Sequence, residues 1–301
     1  MAPADDAPED LFRHSLTKRQ KISEEPIAPT EVTLPQLLTF GGGCSKRLPQ
    51  TLQRLGLSRP LVVTDPFIAN QSGLLAPILD MLKEAGIAFT LFSDCVPDPT
   101  TDSVAAGLEV WHNAPERCDC MVAVGGGSSI DTAKAISLLA VHGGAMRDYK
   151  VPAVAPTGLP IVAIPTTAGT GSECTRVTIV TDTESDEKML CMGFGLMPRA
   201  ALVDFELTMS MPYRLTADSG LDSLCHAMEA FVSKKANAFS NMHALVAMRA
   251  IPPNLRAVCA DLGDRGAREA LMSAATHAGI AFSNASVTLI HGMSRSIGIG
   301  L

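Results

Sequence analysis

Short apolar runs of strand length alternate with helical patterns from Leu61 onward, and this alternation is the tightest constraint on the fold. The runs are LVVTD at 61–65, FTLFSD at 89–94, MVAVGGG at 121–127 and LPIVAIPTT at 159–167. Strands and helices in strict alternation predict an α/β arrangement around a parallel sheet. Between the first two runs, Leu74, Leu75, Ile78, Leu79 and Leu82 recur at helical spacing up to a stop at Gly86, which makes one βαβ unit. After ALVDFEL at 201–207 the strand pattern ends. Alanine, leucine and methionine dominate from there, so the remainder is expected to be helical, with the boundary near residue 208.

The chain has 301 residues, enough for two domains of ordinary size, and its 47% apolar content can fill a substantial core. A net charge of -7, from 24 Lys and Arg against 31 Asp and Glu, leaves no electrostatic footprint for nucleic acid or anionic lipid. No uninterrupted apolar run approaches the roughly 18 residues of a membrane-spanning helix. The eight cysteines are scattered without CxxC pairs and are expected to be reduced thiols, mostly buried. Residues 1–30 mix acids and bases with little that can be buried, and they are expected to form a flexible tail. They match neither a secretory signal nor a mitochondrial presequence, so the cytoplasm is the expected compartment.

Gly125, Gly126 and Gly127 stand between a buried strand and a helix expected to open at Ser128 or Ser129. Glycine lets the backbone approach an anion, and the free N–H groups of a helix start can hold its oxygens, so the segment reads either as a phosphate cradle or as a tight strand-to-helix turn. It lacks the GxGxxG fingerprint. Asp65 closes the first strand, where a carboxylate can accept from a ribose hydroxyl or simply end the strand in a turn. At a ribose it would repel a 2′-phosphate and favour NAD over NADP. PTTAGTGSECT at 165–175 is a second small-residue loop. There Thr166, Thr167, Thr170, Ser172 and Thr175 offer hydroxyls for ribose and pyrophosphate oxygens, or line a solvated loop.

Leu215 to Val232 reads as a helix, with Thr216 as a possible N-cap and Asp218 in the first turn. Asp222 and His226 lie at i and i+4 on one face and can converge on one cation, a carboxylate and an imidazole suiting iron or zinc. An isolated pair of this kind is more often a surface hydrogen bond. His291, after an apolar run in LIHGMSRSIG, supplies a third donor in the same helical half. His14, His112, His142, His243 and His277 have no acid at matching spacing and read as structural or surface residues.

Four segments, GGGSSIDTAKAI, PTTAGTGSECTRVTIVTD, LTADSGLDSLCHAMEAFVS and FSNASVTLIHGMSRSIG, occur in this order, and the chain from about Phe40 to its last residue resembles the iron-containing (group III) alcohol dehydrogenases. The resemblance implies an α/β nucleotide-binding domain over 31–208 and an all-helical metal-binding domain over 209–301, a dehydroquinate synthase-like fold. It implies NAD and a divalent metal, Fe2+ in preference to Zn2+, between them. The ligands it implies are Asp222, His226 and His291; the pyrophosphate loop falls on Gly125, Gly126, Gly127, Ser128 and Ser129, the ribose acid on Asp65, and the threonine-rich loop on Thr166 to Thr175. Lys188, in DEKML, matches a lysine that borders the cofactor in the family. The activity implied is hydride transfer between an alcohol and NAD with an aldehyde or ketone as product, in a homo-oligomer that binds neither nucleic acid nor membrane.

Three departures stand out. The family's fourth ligand, a histidine in a later PHG-type segment, does not occur among the residues that follow His291, so the metal-binding half is expected to be truncated. Arg295 stands where some members carry a histidine near the nicotinamide. Pro252-Pro253 is expected to break a helix that the family continues. Two further readings follow: a nucleotide-binding chain that lacks the catalytic metal, and a glycerol or hydroxy-acid dehydrogenase of the same family.

Overall fold

The computed structural model describes residues 29–297, with side chains as far as Ser294. Most of the expected tail at 1–30 and the side chain of Arg295 lie outside the described residues. Six parallel strands form one sheet in the order β1-β8-β5-β4-β2-β3. They are β1 (Leu37–Phe40), β2 (Pro60–Val63), β3 (Thr90–Phe92), β4 (Cys120–Gly125), β5 (Ile161–Pro165) and β8 (Ala200–Val203). All five apolar runs become consecutive neighbours in it: Leu61 pairs with Met121 and Thr90, Met121 with Ile161, and Ala163 with Ala201.

The runs are continuous rather than alternating because both faces of the sheet are covered. Val62, Val122, Val162 and Leu202 pack with Leu48 and Leu52 of α1 (Leu48–Leu55) and with Leu75, Ile78 and Leu82 of α3 (Leu75–Glu84). The α2 helix (Pro66–Asn70) is the short piece between them. Leu61, Met121, Ala123, Ile161 and Ala201 point the other way, onto Val104 and Trp111 of α4 (Thr101–His112) and Ile130, Ile136 and Leu138 of α5 (Gly127–His142). Gly86, at φ 68°, ends α3 in the left-handed region where glycine carries no Cβ penalty. An antiparallel hairpin of β6 (Val177–Asp182) and β7 (Glu187–Met192) leaves the sheet before β8; the sequence reading did not resolve it.

Helices follow β8, as expected: α6 (Tyr213–Val232), α7 (Ala238–Ala260), α8 (Arg265–Ser283) and α9 (Leu289–Ile297). Alanines allow close approach among α6, α7 and α8, with Ala230, Ala244 and Ala281 fully buried against one another. The α6 helix begins earlier than expected, with Pro212 at its N-cap. Thr216 is therefore not a cap; its hydroxyl accepts from the buried Arg268 at 2.9 Å, while a second Arg268 nitrogen donates to the Met211 carbonyl at 3.1 Å. The predicted break at Pro252-Pro253 does not occur, because α7 runs through both prolines. Two intrahelical bonds are lost there, but Ala247, Ile251, Leu255 and Val258 are buried on either side and their packing holds the helix together. All eight cysteines are free, Cys225 and Cys259 partly exposed and the others buried.

Candidate metal and cofactor site

The glycine turn sits at the carboxyl end of β4, near the middle of the sheet, where ligands of open α/β sheets bind. Gly126 is the N-cap of the 16-residue α5 and offers no side-chain cap, so the first N–H groups of the helix have no side-chain acceptor there. The turn is packed to the limit of what glycine permits. A Cβ on Gly125, at φ 154°, would lie 2.4 Å from Ser129 Oγ, and one on Gly127 would lie 2.7 Å from the Thr170 methyl. The threonine-rich loop is thereby pressed against the helix start, a cradle that fits a pyrophosphate.

Asp65 performs the turn role and keeps an oxygen in reserve. Its Oδ1 accepts from the Phe67 and Ile68 amides at 3.0 Å as the cap of α2, and its Oδ2 lies 3.4 Å from Ser129 Oγ, beside the glycine turn. A cavity of about 440 Å3 opens in front of this cradle. Gly127, Ser128, Thr170, Ser172, Thr175 and Lys188 line it, whereas Asp65, Gly125, Gly126, Ser129, Thr166 and Thr167 do not. Lys188, on β7, is paired with the exposed Asp98 at 3.1 Å.

At its other end the same cavity is lined by Asp222, His226 and His291. Asp222 and His226 project from one face of α6, and His291 comes from the first turn of α9. One donor atom from each lies within 4.8 Å of the other two. Asp222 Oδ1 is 3.2 Å from His291 Nε2, and Asp222 Oδ2 is 3.6 Å from His226 Nδ1. His226 is stacked between Phe282 and His291, with ring centroids 4.4 and 4.2 Å away. Its buried Nδ1 has no hydrogen-bond partner, although the Asp222 carboxylate lies 3.6 Å away. An orphaned imidazole nitrogen beside a carboxylate and a second imidazole is a donor set that fits a divalent iron or zinc ion.

The electrostatics agree with that fit. Burial pushes the His226 pKa down to about 4, so the ring is neutral and able to ligate. Burial opposes ionisation of Asp222 as well, but the hydrogen bond from His291 and the nearby imidazoles outweigh it and hold the carboxyl below its usual range. His291 moves the other way: burial lowers its pKa, and the hydrogen bonds to Asp222 and Glu229 overcome this and raise it above 6.5.

Several residues at the site were not found by sequence reasoning. Glu229, on α6, is bonded to His291 Nδ1 through Oε2. Its signal was present, since Glu229 continues the stripe of Asp222 and His226 at i+7, one turn beyond the spacing that drew attention. Arg176 and Lys235 also line the cavity, and only tertiary folding brings them there. His243 and His277 lack an acid but contact each other, Nδ1 to Nδ1 at 2.7 Å, between α7 and α8.

Comparison with known proteins agrees with this architecture. The family model "Iron-containing alcohol dehydrogenase" matches residues 35–205, and "Fe-containing alcohol dehydrogenase family, C-terminal" matches residues 216–300. NAD-dependent methanol dehydrogenase of Bacillus methanolicus is 38% identical over 270 residues, covering 89% of this chain and 70% of that protein. The crystal structure of a 1,3-propanediol oxidoreductase superposes with a TM-score of 0.86 at 35% identity, over 90% of this chain and 71% of that one. A sulfoacetaldehyde reductase from Bifidobacterium kashiwanohense, solved in complex with NAD+, superposes with a TM-score of 0.82 at 31% identity, over 89% and 70%. The chain thus spans about seven tenths of the length of these relatives. Matched by both family models and sharing the relatives' parallel sheet and helical second part, the chain belongs to the iron-containing alcohol dehydrogenase family and is by family an oxidoreductase.

Proposed function

We propose that the cavity between the glycine turn and α6 is the active site of an NAD-dependent, metal-dependent dehydrogenase of small alcohols. The observation that carries this reading is that donor atoms of Asp222, His226 and His291, within 4.8 Å of one another, share one cavity with the helix start at Gly127 and Ser128. When bound there, a divalent ion supplies Lewis acidity and a nicotinamide accepts the hydride. Asp222, His226 and His291 hold the ion, iron in preference to zinc. Gly125 to Ser129 and Thr166 to Thr175 hold the pyrophosphate and ribose, Lys188 borders the cofactor, and Asp65 sets the preference for NAD over NADP. The division near residue 208 separates the cofactor part from the metal part, so the cavity presents an alcohol to both.

The proposal includes a homo-oligomeric, cytoplasmic enzyme. Leu221, Met228, Leu289 and Ile290 on α6 and α9 are half or more exposed, which supports association with a further copy. No described helix is long and apolar enough to cross a membrane.

The test is iron and zinc stoichiometry measured alongside NAD-dependent oxidation of ethanol and 1,3-propanediol. Metal near one equivalent with activity that Asp222→Ala abolishes is the expected result. Full turnover and metal content in Asp222→Ala would overturn the assignment of the site. Intact NADH binding with no metal uptake would overturn the enzymatic reading in favour of a nucleotide-binding chain.

A further inference from the structure

We propose that Glu229 is the positioning residue of this site: from α6 it fixes both the imidazole of His291 and the start of the helix that carries it. The inference rests on the metal-site reading above and assigns a task to a residue outside the donor set. Glu229 is 2% exposed, and among the described residues its side-chain hydrogen bonds go to Thr288, Ile290 and His291 at the start of α9. Its Oε1 accepts from the Thr288 amide at 3.0 Å, the Thr288 hydroxyl at 2.7 Å and the Ile290 amide at 2.9 Å, with the His291 amide at 3.5 Å. Its Oε2 is bonded to His291 Nδ1.

A carboxylate is a costly way to cap a helix. Burying it without full hydrogen bonding is strongly unfavourable, and Thr288, immediately before α9, is itself of a residue type that caps well. The second oxygen explains the choice. By accepting Nδ1–H it fixes one ring orientation and leaves Nε2, 3.2 Å from Asp222, as the nitrogen whose proton an incoming ion displaces. Glu229 is not itself a donor, since the cluster that can converge on one ion comprises Asp222, His226 and His291 alone among the described residues. Asp222, His226 and Glu229 share one stripe of α6 at i, i+4 and i+7. One helix face therefore presents two donors directly and places the third, borne by another helix, through a carboxylate. Ordering of α9 and metal binding become linked, because the bonds that cap α9 are made by the carboxylate that aims the imidazole.

The test uses the full chain loaded with Co2+, with affinity measured by chelator competition and geometry by the Co2+ d–d absorption. Glu229→Gln keeps an oxygen for the α9 amides but weakens the partner of the ring. We expect Co2+ affinity to fall about 10- to 100-fold with an altered d–d spectrum, while NADH binding and helical circular dichroism stay unchanged. Thr288→Val removes one cap donor without touching the ring and should leave Co2+ affinity and spectrum as they are. Unchanged affinity and spectrum in Glu229→Gln, with His226→Ala losing Co2+, would overturn the role of Glu229 and leave the metal site standing. A wild-type chain that takes up no Co2+ would overturn both. A second measurement needs no variant: 15N-histidine spectra of the zinc-loaded wild type should show His291 protonated at Nδ1 and bound through Nε2, and the opposite tautomer would overturn the inference.

Discussion

Gly171 and Gly279 meet backbone to backbone: a Cβ on Gly279 would lie 2.7 Å from the Gly171 carbonyl oxygen, and one on Gly171 would lie 2.6 Å from the Gly279 Cα. Gly171 also has φ 63°, in the left-handed region. The threonine-rich loop and α8 are therefore in contact with no side chain between them. Beside this contact, a Cβ on Gly169 would lie 2.7 Å from Ser219 Cβ of α6, so one loop is pressed onto two helices of the helical half. Gly279→Ala forces backbone to move on one side or the other. Overpacking of this kind costs about 1–3 kcal/mol, so the melting temperature should fall, and NADH affinity should fall with it because the displaced loop also presses on Gly127. A thermal scan paired with an NADH titration checks both, and an unchanged melting temperature would contradict the close contact.

Lys134 anchors the same loop from the other side. It is fully buried in α5, and its Nζ donates to the Thr175 carbonyl at 3.0 Å, the Thr175 hydroxyl at 2.9 Å and the Val177 carbonyl at 2.7 Å. Asp131 lies 3.7 Å away with an Oδ1 that has no hydrogen-bond partner, so the ammonium is its charge partner as well. Lys134→Ala leaves those acceptors unpaired and a buried carboxylate uncompensated. Breaking a buried pair from one side costs about 3–5 kcal/mol, and the urea midpoint should drop accordingly.

These two contacts mark the limit of what could be read from the sequence. The sheet was legible because each central strand is buried on both faces, and a run such as MVAVGGG has few alternatives. Asp222 and His226 were legible because helical spacing alone puts them on one face, and His291 because a histidine followed a lone apolar run and the family motif held it. Glu229 lay on the same stripe at i+7, a position whose partner is supplied only where α9 starts against it. Lys134 drew no reading of its own from the sequence, since its burial depends on where the loop after β5 lands. The Pro252-Pro253 expectation failed for a related reason: local propensity argued for a break, and packing on both sides of α7 prevailed.

Asp65→Asn separates the two tasks of that side chain. Asparagine caps helices about as well as aspartate, so α2 should keep the bonds to the Phe67 and Ile68 amides and stability should hardly change. The charge that the proposed ribose site presents to the cofactor is removed. Two like charges 4 Å apart repel by about 1 kcal/mol even in bulk water and by more near a protein surface, so NADP should gain several-fold relative to NAD. Titrating both cofactors against both proteins measures the ratio. An unchanged ratio with an intact fold would move the ribose away from Asp65.

Metal uptake should depend on pH through His291, and the sign follows from the directions of the shifts. Imidazole must be neutral to ligate. His226 is held near 4 by burial, so it is already neutral above pH 5 and contributes no dependence there. Asp222 is held below its usual range and is ionised throughout. His291, raised above 6.5 by its hydrogen bonds to Asp222 and Glu229 against the effect of burial, is protonated in the metal-free protein at and below that pH. An incoming ion must displace this proton, so affinity falls as pH drops through the raised value and levels off above it. The same group stabilises the metal-free fold below 6.5, and that contribution fades as pH rises through the raised pKa; His226 acts in the opposite sense, stabilising above 6.5 and losing its contribution as pH falls toward 4. Zn2+ titrations between pH 5.5 and 8.5 should show affinity rising with pH and close to one proton released per ion at the acid end. An affinity flat across that range would mean that His291 is neutral in the metal-free protein and that its two carboxylate contacts do not hold a proton.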